Sequence, residues 1–298
     1  FLDASQSSLP VVLFGEGGQD EIHGGTGEDV LIGDFGLVTW TDTDAQTVAR
    51  SGGGGFGDFT DGVIRSVYQI DCSDIIQSFY KLEHKTESSY LTGEDDIISG
   101  SDSRDAIIGC GESDVLNGND GSDLILGDFG VLQFNTSAPN LQGVEIMVSS
   151  NTSDGGTDEI WCNDGDDFAI GGASSDEVHG NDGIDVVVGD SAEIVFHQHF
   201  LSRNAGMSAP MSITSIACAD GGNDELFGET GDVDYIIGGS LHDYIEGNDG
   251  MDLVFGDHGA VLLYDDPPYK LKYATTINAS CSLGSDTIIL GDGDDMAF

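Results

Sequence analysis

Short apolar segments recur along the chain at a fixed spacing, and a turn rich in glycine and aspartate precedes each of them. Residues 100–126 divide into three units of nine, GSDSRDAII, GCGESDVLN and GNDGSDLIL. In each unit the sixth residue is aspartate and the eighth is aliphatic. Glycine permits tight turns, and a short strand places alternate side chains on opposite faces. The pattern predicts stacked short strands in which the eighth residue, such as Ile107 or Leu116, points inward.

The nine-residue units fall into five groups along the chain. The groups cover residues 15–32, 91–126, 153–188, 219–255 and 281–298, and one residue is inserted between 219 and 237. Sixteen sixth-position aspartates in phase are far beyond chance, and we predict that they are metal ligands. They are Asp20, Asp29, Asp96, Asp105, Asp114, Asp123, Asp158, Asp167, Asp176, Asp185, Asp224, Asp234, Asp243, Asp252, Asp286 and Asp295.

One unit, residues 24–32, reads GGTGEDVLI and fits the pattern GGxGxDxUx at every position. The chain therefore resembles proteins with the RTX, or haemolysin-type, calcium-binding nonapeptide repeat. The resemblance implies an all-β fold, a right-handed parallel β-roll or β-solenoid in which two units form one coil and the turns bind several Ca²⁺ ions. It also implies that aspartates of successive coils share an ion. The pairs are Asp96 with Asp114, Asp105 with Asp123, Asp158 with Asp176, Asp167 with Asp185, Asp224 with Asp243, and Asp234 with Asp252.

A longer period interrupts the repeats. Each complete group ends in a variant unit whose sixth residue is apolar instead of acidic, namely Val38, Leu132, Ile194 or Val261. A less regular stretch follows each variant unit and ends in a second strand-like run, at residues 66–70, 144–148, 212–216 and 273–277. We predict a hairpin-like arm that projects from the roll after each group. The predicted modules are residues 1–71, 72–150, 151–217, 218–280 and 281–298, and we expect the chain to be a portion of a longer protein.

The charge balance excludes several classes of protein. The chain has 8 Lys and Arg against 55 Asp and Glu, a formal net charge of −47. Such a chain should not bind nucleic acid or an anionic membrane surface. The sequence contains no apolar run of about 18 residues, so no membrane span is predicted. A hydrophobic content of 38 % argues against disorder, and the 45 glycines argue against a helical protein.

Cysteines and glycosylation sequons point to an oxidising, extracellular setting. None of the five cysteines lies in a CxxC motif, and two disulfides plus one free or intermolecular thiol are expected among Cys72, Cys110, Cys162, Cys218 and Cys281. Three N-x-S/T sequons lie in or beside the arms and are candidate glycosylation sites, at Asn135, Asn151 and Asn278. The expected location is therefore outside the cell or on its surface.

The sequence contains none of the common catalytic motifs. No G-x-S-x-G, H-E-x-x-H or P-loop motif occurs, and Asn117-x-Asn119-x-Gly121 lacks the closing glutamate of an EF-hand. The pair His197 and His199 lacks a third metal ligand. Trp40 and Trp161 are isolated in sequence and are interpreted as packing residues. We therefore predict that the chain is not an enzyme.

Three functions remain open. The leading hypothesis is a non-enzymatic extracellular structural protein, stabilised by Ca²⁺, that associates with itself or with other extracellular structural proteins in a fibre, surface layer or appendage. The second is a surface adhesin, which a row of threonine or aromatic residues along one face would favour, although the sequence shows no such row. The third is the calcium-binding tail of a secreted enzyme or toxin. All three predict folding coupled to calcium binding, with an affinity of roughly 10⁻⁴ to 10⁻³ M.

Overall fold

The regular structure is all β, as predicted. The computed structural model describes residues 1–41, 46–50, 66–72, 94–134, 143–150, 152–196, 210–217, 221–231, 233–264, 271–277 and 284–298. Within these ranges the chain forms 29 β-strands in three sheets. No helix in these ranges is long and apolar enough to span a membrane.

The first sheet, which we call the outer sheet, contains the strand of every first unit of a coil. Its strands are parallel, and neighbours along its main path hydrogen-bond in the order given. They are β1 (Leu2–Asp3), β3 (Glu21–His23), β8 (Ile97–Ser101), β10 (Val115–Asp120), β14 (Glu159–Asp164), β16 (Glu177–Gly183), β20 (Glu225–Gly231), β22 (Tyr244–Glu246) and β27 (Thr287–Ile289), with β23 (Asp249–Gly250) and β28 (Asp292–Gly293) beside them.

The second sheet, which we call the middle sheet, contains the strand of every second unit and is also parallel. Its strands, in order, are β2 (Val12–Phe14), β4 (Val30–Ile32), β9 (Ala106–Cys110), β11 (Leu124–Asp128), β15 (Phe168–Gly172), β17 (Val186–Asp190), β21 (Tyr235–Gly239), β24 (Leu253–Asp257) and β29 (Met296–Ala297). The chain alternates between the outer and middle sheets, which together form the predicted β-roll.

The interior of the roll is a stack of eighth-position side chains. Ile98, Ile107, Leu116 and Ile125 are fully buried and belong to one apolar cluster between the outer and middle sheets. Full burial of such a side chain contributes roughly 1.5–3 kcal/mol. The prediction that the eighth residue of each unit points inward is therefore confirmed for these positions.

The roll continues without a break across the less regular segments. Strand β10 pairs with β14 and places Leu116 opposite Ile160, although residues 128–157 lie between these strands in sequence. Strands β3 and β8, β16 and β20, and β22 and β27 pair in the same way across the other three interruptions. The predicted modules therefore stack in register as one roll within the described residues.

The third sheet, which we call the arm sheet, is antiparallel and gathers strands from all four interruptions. Its order is β26 (Leu271–Thr276), β25 (Gly259–Leu263), β19 (Pro210–Ser215), β18 (Ala192–Phe196), β13 (Val144–Ser149), β12 (Gly130–Phe134), β7 (Ser66–Cys72), β5 (Leu37–Thr41) and β6 (Gln46–Arg50). Each predicted second run thus forms a strand beside its variant unit. The glycine run at residues 52–55 lies outside the described residues.

The described strands of the arms do not project from the roll as predicted. They lie against the outer face of the middle sheet, and Val38, Leu132, Ile194 and Val261 are buried there in one cluster with the seventh and ninth residues of the middle-sheet units. Half-buried hairpins are marginal alone, whereas this apolar face provides a partner for them. The result is a three-layered structure with the middle sheet at its centre.

Burial of Leu132 between the arm and middle sheets gives a direct test of this layering. Leu132→Ala should lower the free energy of unfolding by about 2–5 kcal/mol, because it deletes buried methyl groups and leaves a cavity. Gln133→Ala is the matched control, since Gln133 is the next residue of β12 and is exposed. Urea unfolding followed by circular dichroism would measure both. Equal, small effects would contradict packing of the arm sheet on the roll.

Candidate calcium-binding turns

The sixth-position aspartates form two straight rows along the edges of the roll. The first row precedes the outer-sheet strands and the second row precedes the middle-sheet strands. The first row consists of Asp20, Asp96, Asp114, Asp158, Asp176, Asp224, Asp243 and Asp286. The second row consists of Asp29, Asp105, Asp123, Asp167, Asp185, Asp234, Asp252 and Asp295. All sixteen predicted metal ligands are therefore brought into one of two continuous arrays.

A hydrogen bond connects each aspartate to the next one in its row. The backbone N–H of Asp105 donates to Oδ1 of Asp123 at 2.8 Å, and the N–H of Asp123 donates to Oδ1 of Asp167 at 2.6 Å. Fourteen such bonds, seven in each row, span 2.6–3.2 Å. One carboxylate oxygen of each acceptor aspartate is thus used to hold the coils together.

The six pairs implied by the resemblance are neighbours in these rows. Eight further neighbours lie on either side of an arm, for example Asp114 and Asp158, whose N–H···Oδ1 distance is 2.9 Å. Spacing alone could not reveal the second set, because an arm of variable length separates each such pair in sequence.

The second carboxylate oxygen has no hydrogen-bonding partner in most of these residues. Oδ2 is buried and accepts no hydrogen bond in eleven aspartates of the rows: Asp96, Asp114, Asp123, Asp158, Asp167, Asp176, Asp185, Asp224, Asp234, Asp243 and Asp252. A buried acceptor without a donor costs free energy. The rows therefore require a positive group, or a proton, at each of these oxygens.

Carbonyl oxygens converge on the same places. A Cβ at Gly109 would lie 2.2 Å from Oδ2 of Asp114 and 2.4 Å from the carbonyl oxygen of Gly127, the first residue of a unit in the next coil. The same arrangement recurs at Gly171, with Oδ2 of Asp176 at 2.4 Å and the Gly189 carbonyl at 2.6 Å. Only glycine fits at the first position of these units, because the carboxylate occupies the space of a side chain.

Burial makes the ionised form of these carboxyls costly. Loss of hydration raises the pKa of Asp114 to about 10, and the neighbouring Asp158 carboxyl adds to this shift. Burial likewise raises the pKa of Asp167 to about 8, and that of Asp252, one coil from the end of its row, to about 6. The carboxyls of Asp114 and Asp167, whose pKa values lie above 7, stay ionised at neutral pH only when a cation lies beside them.

The donor set fits calcium better than other metals. Carboxylate and carbonyl oxygens are hard ligands, which suit Ca²⁺, whereas zinc and copper prefer nitrogen and sulfur. No group of three or more His, Cys, Asp or Glu side chains in the described ranges could hold a metal by itself. An ion in these turns must therefore take a large share of its ligands from backbone carbonyls.

Sequence analysis missed a third set of aspartates, at the points where the chain leaves the roll for an arm. Oδ1 of Asp128 accepts the N–H of Gly156 at 3.0 Å, and Oδ2 accepts that of Ala173 at 2.6 Å. Asp190 accepts hydrogen bonds from the backbone N–H groups of Gly222 and Ser240 in the same way. Burial raises the pKa of Asp128 to about 9. The Gly-Asp pair that opens every variant unit was the available signal, and its aspartate closes the turn that the arm interrupts.

Cysteines divide between the arm sheet and the roll. Cys72 at the end of β7 forms a disulfide with Cys110 in β9, whereas Cys162 is buried and free. Cys218 and Cys281 lie outside the described residues. So do the sequon residues Asn135, Asn151 and Asn278, the histidines His197 and His199, and the side chain of Trp40.

An aromatic stack lies on the open face of the outer sheet. The ring centroids of Trp161 and His179 are 3.7 Å apart, those of His179 and Phe227 are 4.6 Å apart, and neighbouring planes are within 10° of parallel. These three residues occupy the ninth position of units on adjacent strands. The interpretation of Trp161 as isolated is wrong. Trp161 and His179 are 18 residues apart, the length of one coil, so this contact could have been predicted from spacing, whereas an arm separates Phe227 from His179 in sequence.

Comparison with known families agrees with this geometry. The model of the RTX calcium-binding nonapeptide repeat matches residues 12–36, 99–131, 152–191, 230–260 and 282–297. The chain therefore contains RTX calcium-binding nonapeptide repeats. No curated protein matches the chain significantly. RTX repeats bind calcium, and the matched segments contain turns of both aspartate rows. The RTX coils continue into segments outside the match, such as residues 221–229, where Asp224 occupies the same place in its row.

Asp167 lies in the middle of the second row and tests the role of the carboxylates. Asp167→Asn should destabilise the calcium-loaded chain by roughly 1–3 kcal/mol, the scale of losing an interaction with a charged group. In EDTA at pH 5, where the buried carboxyls are protonated and the metal-free chain can fold, the same change should have little effect, because it removes no charge there. Asp164→Asn in the same turn is the control, since Asp164 is exposed. Chemical unfolding in Ca²⁺ and in metal-free buffer at pH 5 would measure the difference, and an equal loss of stability in both would contradict a cation site there.

The raised pKa values also predict how acidity acts on the metal-free chain. Between the ordinary aspartate value of 3.8 and the folded values of about 6 to 10, the folded chain binds more protons than the unfolded chain. Stability should therefore be greatest near pH 4 and fall as pH rises, each carboxyl contributing up to about 1.4 kcal/mol per pH unit. Circular dichroism of the EDTA-stripped chain between pH 5 and pH 9 would measure this, with the β signal present at pH 5 and lost by pH 9. Saturating Ca²⁺ should flatten the dependence, and equal metal-free stability at both pH values would contradict it.

Proposed function

We propose that this chain is a non-enzymatic extracellular protein with a structural role, in which calcium ions hold the two aspartate rows together. The observation that carries the proposal is the set of eleven buried Oδ2 atoms that accept no hydrogen bond. These oxygens recur at regular steps along an otherwise close-packed roll. Calcium supplies the positive charge that lets ionised carboxylates remain buried there.

The residues that would hold the ions are the row aspartates and the first-position glycine carbonyls beside them. Since an unfolded chain does not bring these oxygens together, the free energy of binding contributes to folding. The net charge of −47 expands the metal-free chain by self-repulsion and makes folding more dependent on calcium. Neighbouring coils should order together, because each repeat contacts only its neighbours.

Several features support an extracellular location. RTX repeat proteins are generally secreted. The Cys72–Cys110 disulfide joins an arm to the roll, and disulfides persist in oxidising compartments. An affinity in the extracellular range, about 10⁻⁴ to 10⁻³ M, would keep the chain unfolded inside the cell and folded outside. N-glycans on the sequons of the arms are part of the proposal.

The coils themselves are proposed to have no catalytic role, because their aspartates recur in the same geometry along the whole roll. RTX repeats occur both in enzymes and in proteins without enzymatic activity. A catalytic carboxylate pair is a singular arrangement, whereas the same aspartate geometry occurs sixteen times along these rows. A role as the calcium-binding tail of a secreted enzyme or toxin would use the coils in the same way, with catalysis elsewhere.

Assembly with further copies, or with other extracellular structural proteins, is the proposed use of the folded roll. The outermost strands of the arm sheet in the described part of the chain, β6 and β26, each pair on one side only. Strand edges of this kind accept another strand unless they are covered. Lateral contacts between arm sheets would build a fibre or a surface layer from rolls.

The aromatic stack favours a second candidate function, a surface adhesin. Trp161 donates from its indole Nε1 to Glu159 at 2.8 Å, and the ring of His179 contacts the carboxylates of Glu177 and Glu229 at 3.0 and 2.9 Å. Rings and carboxylates therefore alternate on the one roll face that the arm sheet leaves open. A face of this kind can bind a ligand, and it stays accessible when arm sheets associate.

Titration of Ca²⁺ into EDTA-stripped chain tests the proposed function. We expect a transition from disordered to β circular dichroism near millimolar Ca²⁺, absent with Mg²⁺, because Mg²⁺ demands a smaller octahedral site. Sedimentation velocity on the same samples should show growth in size as calcium rises.

The outcomes separate the candidate functions. A folded chain that stays monomeric at high calcium and high concentration would contradict assembly and leave the adhesin as the better candidate. A chain already folded in EDTA at pH 8 would contradict the calcium proposal.

A further inference from the structure

Lys and Arg are almost absent from the nine-residue units. The chain has eight Lys and Arg residues, and seven of them lie between the groups of units in sequence. These seven are Arg50, Arg65, Lys81, Lys85, Arg203, Lys270 and Lys272. Arg104 is the one basic residue within the nine-residue units, and it directly precedes Asp105 of the second row.

Arg104 lies inside the turn instead of extending into solvent. Its side chain is only 8 % exposed, although arginine is rarely buried unless it is paired. Its guanidinium Nε donates to the carbonyl oxygen of Ser122 at 2.7 Å. Ser122 occupies the same fifth position in the next coil, so this side chain bridges the spacing between two coils.

Acidic groups surround the guanidinium. Burial lowers the pKa of Arg104, and Glu28, Asp123, Asp167 and Asp166 oppose this change, in that order of strength. Its positive charge acts in return on the second-row aspartates of the next two coils, Asp123 and Asp167, whose pKa values burial raises. The positive charge of Arg104 therefore acts on a part of the row where the Oδ2 atoms of Asp123 and Asp167 accept no hydrogen bond, from Arg104 or from any other donor.

A guanidinium and a calcium ion can each supply the positive charge that buried carboxylates of the row need. Both bring positive charge to carboxylate and carbonyl oxygens, and arginine stays protonated at every physiological pH. The fifth position of the other second-row units carries no basic residue: it is Glu28, Ser122, Asp166, Ile184, Val233, Met251 or Asp294. Only the turn of Arg104 contains its own cation.

We propose that the Arg104 guanidinium is a built-in counter-ion that takes the place of one calcium ion in the second aspartate row. The inference rests on the proposed binding of calcium by these rows. Its consequence is that the three units of residues 100–126 need one ion fewer than the three equivalent units of residues 162–188. This part of the roll should therefore order at a lower calcium concentration than the rest.

Calcium counting on the folded full chain tests the inference. The probe is CaCl₂ at saturation, with bound metal per chain measured by mass spectrometry of the element after equilibrium dialysis. Arg104→Ser introduces the residue found at the same position of the next coil, and it should bind one more calcium ion per chain than the parent. Lys272→Ser is the control for net charge, since Lys272 is exposed in β26, and its calcium count should not change.

The reciprocal variant keeps the test decisive if Arg104→Ser does not fold. Ile184 is half-buried at the fifth position of the unit 180–188, and its backbone N–H donates a hydrogen bond to Oδ1 of Asp166 at 2.9 Å. Ile184→Arg should place a guanidinium in that turn and reduce the calcium count by one. An unchanged, non-zero count in both variants would overturn the role of Arg104 alone. No bound calcium in the parent chain would instead overturn the proposed function.

Discussion

Neutralisation of buried carboxylates is the constraint on which the rest of this structure depends. Two rows of eight aspartates run along the roll, and a hydrogen bond to Oδ1 joins each to the next. The second oxygen is buried without a donor in most of them. A folded chain with these carboxylates ionised and unpaired would be strongly destabilised. The short turns, the glycines at their start and the close stacking of coils all require that these carboxylates be neutralised, by a cation or by a proton.

The arms solve a second problem, which is the apolar outer face of the middle sheet. Middle-sheet units such as Val30-Leu31-Ile32 and Val186-Val187-Val188 are buried on both faces, whereas outer-sheet units alternate. All four arms leave from the end of a middle-sheet strand and return before an outer-sheet strand. The second row therefore keeps short turns throughout, while every second turn of the first row contains an arm. Asp128 and Asp190 close two of these interrupted turns.

Much of the roll could be predicted from local sequence because each nine-residue unit specifies its own turn and strand. The phase of the aspartates, the inward direction of Ile107 and Leu116, and the second strand of each arm all follow from spacing and alternation. The aspartate neighbours across arms, such as Asp114 and Asp158, could not be predicted. Neither could the contact of Phe227 with His179, since it depends on where the chain re-enters the roll after an arm.

The sequence by itself determined the repeat, the all-β fold and the chemistry of the turns, because those depend on residues at most a few positions apart. It also contained a signal for the layering, since units with three apolar residues alternate with units that begin or end in a polar one. Only the tertiary structure decided that the arms fold back as one sheet and that the aspartates form two unbroken rows. It also decided that Arg104 is buried beside the second row. These features arise from contacts between segments far apart in sequence, for which no local pattern exists.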